Sequence, residues 1–154
     1  MVHFKPLNLK VAGIIQVLSL SIKKHTCIEV FIYNNGIIEL GENFRLGDSK
    51  LFCEKKIEFG NDCMISWDCI ICDSDLHNIK KDNIRINNDK EIIIGNHVWI
   101  CSYCHIFKGT TICSNAIIGS DSHLSNTSLS DEKCIYGSKG IIIKKNIEWD
   151  WELN

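Results

Sequence analysis

The sequence predicts an all-β chain wound as a solenoid of stacked coils, and two regularities carry that prediction. The first is a period of six. From Ile94 the chain reads IGNHVW, ICSYCH, IFKGTT, ICSNAI, IGSDSH, LSNTSL, setting Ile94, Ile100, Ile106, Ile112, Ile118 and Leu124 six apart without a gap. An α-helix asks for apolar residues three and four apart and a half-buried strand for alternation, so this period marks a repeating turn-and-strand unit. The second regularity is size. The fifth place of each unit holds Val98, Cys104, Thr110, Ala116 and Ser122, all small or medium, as a narrow coil requires. The second place favours glycine or a small residue, as Gly95, Cys101, Cys113, Gly119 and Ser125 show, with Phe107 the exception.

An earlier block obeys the same rule, with Phe59, Ile65 and Ile71 six apart and Cys63 and Cys69 at the fifth place. Leu40, Leu46 and Phe52 precede it one residue out of phase. The two runs predict one continuous solenoid over residues 37–130, each coil stacking only on its neighbours. Its ends need covering, by residues 1–36 as a cap or first coil and by a tail over 131–154. Residues 78–91 break the period and are polar, which predicts a loop protruding from one coil. Loops of that length in a compact fold are usually functional.

At 154 residues the chain fits a single domain with a sizeable core. A net charge of -2, with both signs mixed along the chain, gives no general attraction to nucleic acid or an anionic membrane. Nine cysteines, an odd number, in a regular hydrophobic pattern fit reduced thiols in the cytoplasm better than a disulfide framework. The stretch closest to a signal-peptide core, residues 11–22, contains Gln16, lacks a small-residue cleavage site and is too short to span a bilayer. No targeting or membrane-inserting segment is expected.

The segment IIIGNHVWICSYCHIFKGTTICSNAIIGSDSHL resembles the hexapeptide-repeat acetyltransferases, whose usual form is near IGNxVWIGxxAxILxGVTIGxxAVIGAGSVV. Upstream, IICDSDLHNI followed by RINNDKEIIIG is similar to the Asp-x-Asp-x-His segment and inserted loop of members that O-acetylate surface polysaccharide sugars. The resemblance covers residues 37–149 and implies a left-handed parallel β-helix with about eighteen residues per coil. It also implies a homotrimer with active sites between subunits, and transfer of an acetyl group from acetyl-CoA to a hydroxyl of a sugar or glycan.

His77 matches the family's catalytic histidine. A sugar hydroxyl is a poor nucleophile at neutral pH, so transfer needs a base within hydrogen-bond reach, and imidazole has a suitable pKa. In the implied mechanism His77 accepts the hydroxyl proton as the oxygen attacks the thioester carbonyl, then returns it to the departing thiolate. Asp73 and Asp75 stand just before it, and a carboxylate bonded to the second ring nitrogen would fix the tautomer, with Asp75 favoured. By family position Ser102 and Ser120, one coil apart, and Ser125 with Asn126 fall along the course of CoA, with Trp99 as an apolar wall. The oxyanion wants donors, and the sequence names none.

Several positions depart from the family pattern. Cys101 and Cys113 replace glycines, Asp121 and His123 replace Gly and Val of GAGSVV, and in the tail Lys139 replaces a proline and Ile141 a basic residue. Lys139, Lys144 and Lys145 remain as partners for CoA phosphates. Two C-x-x-C spacings, Cys69 with Cys72 and Cys101 with Cys104, invite zinc. The repeat instead puts one cysteine of each pair inside and the other at a turn, so no metal is expected. His105 and His123 are read as stacked surface histidines. Two alternatives to O-acetylation stay open: N-acetylation of an amino sugar, and a non-catalytic scaffold or binding module, which the altered glycine and proline positions would suit.

Overall fold

Isoleucines six apart all point inward only if the chain turns a corner between each pair. In the computed structural model, which describes residues 9–11, 15–17, 28–33 and 35–152, short strands and tight corners alternate in this way. The first coil is β1 (Leu9–Val11), β2 (Ile15–Val17) and β3 (Glu29–Ile32), and the second β4 (Ile37–Leu40), β5 (Phe44–Leu46) and β6 (Lys50–Cys53). The third is β7 (Lys56–Phe59), β8 (Met64–Ile65) and β9 (Ile70–Cys72). A hairpin of β10 (Lys80–Lys81) and β11 (Ile84–Arg85) follows. The fourth coil is β12 (Ile92–Ile94), β13 (Trp99–Ile100) and β14 (His105–Phe107), and the fifth β15 (Thr111–Ile112), β16 (Ile117–Ile118) and β17 (His123–Leu124). β18 (Ser128–Leu129) and β19 (Cys134–Tyr136) begin a sixth, on which β20 (Ile142–Lys145) folds back antiparallel.

Stacked strands pair in parallel into three faces: β1-β4-β7-β12-β15-β18, β2-β5-β8-β13-β16-β19 and β3-β6-β9-β14-β17. This parallel solenoid is the fold that the period predicts, and it is consistent with the left-handed β-helix that the resemblance implies. The part of the expected cap or first coil at residues 1–8, 12–14, 18–27 and 34 lies outside the described residues. Among the described residues no helix is long and apolar enough to cross a membrane.

In-register stacking puts like on like. Ile94 pairs with Ile112, Ile100 with Ile118 and Ile106 with Leu124, and all six are at most 2% exposed. Burial of each such side chain contributes about 1.5–3 kcal/mol. Val98, Cys104, Thr110, Ala116 and Ser122 are buried as their size requires, as are Phe59, Cys63, Ile65, Cys69 and Ile71. The two hydroxyls in this interior are satisfied locally, Thr110 donating to the Phe107 carbonyl at 2.7 Å and Ser122 to that of Gly119 at 2.5 Å.

Phe52 departs from expectation. Leu40 and Leu46 point inward, but on β6 the inward residues are Leu51 and Cys53, while Phe52 turns out and stacks on Phe31 at 5.0 Å. Five residues separate Leu46 from Leu51, where six separate their register partners Ile65 and Ile71. The one-residue slip reverses which side chains face the core.

The corners follow a rule that composition does not advertise. The fourth place of successive units is left-handed at His97 (φ 54°), Tyr103 (63°), Gly109 (72°), Asn115 (57°) and Asp121 (60°). Non-glycine residues in this region cost about 1–2 kcal/mol each, yet the conformation lets their N–H groups bond the neighbouring coil. Tyr103 N–H donates to the Trp67 carbonyl, Asn115 N–H to that of Asn96 and Asp121 N–H to that of Ser102. At the first-to-second-face corner Gly41, Gly60 and Gly95 stack so closely that a Cβ on Gly41 would lie 2.4 Å from the Gly60 backbone.

The chain after β20 does more than cover an end. Trp149 stacks on His97 at 4.3 Å, donates its indole N–H to the His97 carbonyl at 3.2 Å, and lies 5.8 Å from Trp99. Trp151 packs on Trp149 and receives the Arg45 guanidinium 3.8 Å above its ring. The segment therefore runs back along the second face from the sixth coil to the second as a strap. Ile106→Ala is expected to lower the free energy of unfolding in urea by about 2–5 kcal/mol. Phe52→Ala, which removes an outward ring stack, is expected to cost about 1 kcal/mol.

Candidate active site

The solenoid opens where the third face returns to the first. In the second coil this corner is long: eight residues separate Leu51 from Phe59, against six between their counterparts Ile106 and Ile112 in the fourth. The extra residues leave backbone N–H groups directed inward, and Asp73, fully buried one coil above, accepts them. Its carboxylate takes hydrogen bonds from the N–H groups of Glu54 (2.7 Å), Lys55 (2.8 Å) and Lys56 (2.7 Å). The Cys53 thiol also points at it, at 3.4 Å, and burial together with the Asp73 charge pushes that thiol up to about 12. Asp73 is thus a structural anion, and its oxygens are committed to the corner rather than to His77.

From Asp73 the chain leaves the solenoid and does not return until Ile92. Leu76 takes a left-handed conformation (φ 59°), its N–H bonding the Ser74 hydroxyl at 3.2 Å, and His77 N–H closes a turn on the Asp75 carbonyl at 2.6 Å. His77 is exposed, and its ring nitrogens have no hydrogen-bond partner among the described residues. Asp75 faces Lys108, whose ammonium lies 2.5 Å from Oδ2, and the Asn87 side-chain amide, at 2.8 Å from the same oxygen. Lys108, then Asn87, hold the Asp75 carboxyl below its usual range.

Asn87, only 8% exposed, also donates to the His77 carbonyl at 2.7 Å and accepts the Ile79 N–H at 2.7 Å. The returning strand is tied down by Lys90, whose ammonium reaches Asn126 Oδ1 at 2.5 Å and whose N–H donates to the Asp73 carbonyl at 3.1 Å. Gly109 is required here: its φ is +72° and a Cβ would lie 2.8 Å from Asn126 Oδ1. Glu54 completes the neighbourhood, its carboxyl pushed up chiefly by burial and then by Asp89, with Arg85 and, more weakly, His77 pulling the other way.

The remaining expected site residues fall in three places. Ser125 and Asn126 stand at the same corner as the His77 loop, two coils up. Ser102 and Ser120 stack one coil apart, as expected, but at the second-to-third-face corner. Trp99 lies on the second face, its indole N–H given to the Ser66 hydroxyl at 3.0 Å and its ring against Trp149. One copy of the chain therefore brings His77, Asp75, Ser125 and Asn126 to a common corner and leaves Ser102, Ser120 and Trp99 away from it. On the third face His105 and His123 sit one coil apart with their rings edge to face, centres 4.4 Å apart at 74°, and burial, then His123, push the His105 imidazole down.

No protein-family profile matches the chain. A stretch of 56 residues is 43% identical to a polysialic acid O-acetyltransferase of Neisseria meningitidis, covering 35% of this chain and 26% of that protein, so the match spans about a quarter of the relative's length. Among solved structures, a maltose O-acetyltransferase from Clostridium difficile 630 superposes with a TM-score of 0.69 at 25% identity, over 92% of this chain and 72% of that one. A mutant of AntD, an N-acyltransferase from Bacillus cereus in complex with dTDP and coenzyme A, superposes with a TM-score of 0.66 at 15% identity, over 90% and 78%.

The chain has the fold of the hexapeptide-repeat acyltransferases. Within that fold, Asn87 and Lys108 bond the candidate turn and Glu54 lies in its electrostatic neighbourhood, and sequence reasoning passed over all three. Lys108 carried a signal, as the only charged residue at the third place of its run, among Asn96, Ser102, Ser114, Ser120 and Asn126. Asn87 carried none, being one asparagine of several in a polar stretch.

Two outcomes test the corner. Asp73→Ala removes the one acceptor of three partly buried N–H groups, each at up to about 1–3 kcal/mol, so chemical denaturation should show a loss of about 3 kcal/mol. Asp75 has a depressed carboxyl, so the stabilisation from its pairing is present above the ordinary value of 3.8 and is lost as pH falls through the folded value. The stability difference between wild type and Lys108→Met should accordingly be largest near neutral pH and shrink below pH 3.8. A difference independent of pH would assign the effect to packing of the lysine stem.

Proposed function

We propose that the chain is an O-acetyltransferase moving an acetyl group from acetyl-CoA to a hydroxyl of a sugar, in a surface polysaccharide or its precursor, with His77 as general base. The observation that carries this reading is the placement of His77. An exposed imidazole with unengaged ring nitrogens stands where the insertion leaves a solenoid shared with a maltose O-acetyltransferase, and a matched segment links the chain to a polysialic acid O-acetyltransferase.

A free ring nitrogen accepts the acceptor's hydroxyl proton as its oxygen bonds to the acetyl carbonyl carbon. The tetrahedral centre then collapses, the carbon–sulfur bond breaks, and the imidazolium gives its proton to the thiolate. The chain itself needs no covalent adduct. Lys108 and Asn87 occupy the Asp75 carboxylate, so Asp75 acts on His77 by shaping the turn rather than by bonding the ring. Ser125 and Asn126 share the His77 corner and are the better placed of the expected CoA contacts. Ser102 and Ser120, at the second-to-third-face corner, and Trp99, on the second face, join them only from a second copy, as in a homotrimer with sites between subunits. The eight described cysteines are free thiols, which supports a reducing, cytoplasmic setting.

The test is release of free CoA thiol from acetyl-CoA with nucleotide sugars and oligosaccharides, alongside calorimetric acetyl-CoA binding, for wild type and His77→Ala. Hydroxyl acceptors should support turnover, and His77→Ala should lower it by about 10²–10⁴-fold without abolishing acetyl-CoA binding. Turnover confined to amino sugars would move the reading to N-acetylation. No binding at millimolar acetyl-CoA would overturn it in favour of a non-catalytic solenoid.

A further inference from the structure

We infer that Asn87 is a positioning residue for His77, acting through the backbone of the turn that carries it. The inference rests on the proposed role of His77 as the base and adds what holds it. Because neither ring nitrogen of His77 is engaged by a described residue, the chain can aim this imidazole only by fixing the main chain beneath it. The Ser74 hydroxyl holds the Leu76 N–H just before His77 (3.2 Å), and Asn87 is the side chain that bonds His77 itself and the residues on both sides of it. Asn87 uses its amide to donate to the His77 carbonyl (2.7 Å) and to Asp75 Oδ2 (2.8 Å), and its oxygen to accept the Ile79 N–H (2.7 Å). Residues on both sides of His77 and His77 itself are thereby tied to a single group that is 8% exposed.

The amide is in turn fastened to the solenoid. Lys108, its side chain 12% exposed, lies 2.5 Å from Asp75 Oδ2 and 3.4 Å from the Asn87 main-chain carbonyl oxygen, so an ammonium from the fourth-coil corner grips both stems of the insertion. The chemistry calls for asparagine specifically. The three partners demand two donated protons and one acceptor from the same planar group, which a primary amide supplies and a carboxylate of identical shape does not. An aspartate there would keep the acceptor for Ile79 while setting an oxygen against the Asp75 carboxylate and the His77 carbonyl.

Asn87→Asp in the full chain is therefore the discriminating variant, with His77 imidazole resonances assigned by comparison with His77→Ala. The expected result is a kcat lower by about 10²-fold, the scale of a misplacement of about 1 Å, with KM for acetyl-CoA unchanged. The His77 resonances should shift while those of His97, His105 and His123 stay. Asn87→Asp combined with Asp75→Asn restores a donor–acceptor pair across the two side chains and should recover part of kcat. Wild-type kcat with unshifted His77 resonances would overturn the inference. In the wild-type chain the Asn87 side-chain amide protons should exchange slowly, and free exchange would overturn the inference even if the variant fails to fold. If wild type transfers no acetyl group, the function proposed above fails separately, because the resonance and exchange measurements still report whether Asn87 holds the turn.

Discussion

The structure depends on the stacking of inward side chains in register from coil to coil. Parallel strands lie about 4.8 Å apart, so each buried residue rests directly on its counterpart one coil away, as Ile94 rests on Ile112 and Ile100 on Ile118. A narrow three-sided interior has room for one large side chain at each face and a small one after each corner, and this sets both the period of six and the sizes allowed at the fifth place. The same stacking settles the corner backbone. A left-handed residue at the fourth place directs its N–H at a carbonyl of the adjacent coil, so the cost of positive φ in His97, Tyr103, Asn115 and Asp121 is offset by a hydrogen bond repeated up the solenoid.

Where this regularity fails, a buried charge takes over. The long corner at Glu54 to Lys56 has no regular coil neighbour to receive its N–H groups, because the third coil at that point leaves as the insertion. Asp73 fills the gap with one carboxylate and three hydrogen bonds. A buried anion is tolerated only when fully bonded, and here the bonding also fixes the direction in which the insertion departs. The candidate site is thus a consequence of an interruption in the repeat. Lys108 then fastens the inserted segment by its Asp75, and the segment's Lys90 reaches Asn126, so that three successive corners are joined through side chains.

Electrostatics divides labour among the acidic residues near His77 in a way their order along the chain does not reveal. Asp73 serves the backbone, Asp75 serves Lys108 and Asn87, and Glu54, brought in from the preceding coil, keeps a carboxyl raised by burial. Proximity in sequence favoured Asp75 as the partner of the ring. Its nearest cation lies thirty-three residues away along the chain and stands at 2.5 Å in space.

The six-residue period, the small fifth place and the break before Ile92 were legible in the residue order because each follows from local geometry repeated many times. Those features determined the solenoid, its buried face and the existence of an insertion. They failed for Phe52, where a corner one residue short reversed the inward and outward sides. The candidate histidine was legible by resemblance, but its surroundings were not: Lys108 and Glu54 come to the turn from other coils and Asn87 from ten residues further along the insertion, and only Lys108, the one charged residue at its place in the repeat, stood out in the residue order. The strap of Trp149 and Trp151 along the second face was hidden for the same reason. The sequence by itself determined where the regular coils from Ile94 onward turn, since turning there is a local property of residue size and backbone conformation. The tertiary structure alone decided which distant side chains meet at the opened corner, since that depends on how many residues each corner holds and on which charges remain unpaired once the coils are stacked.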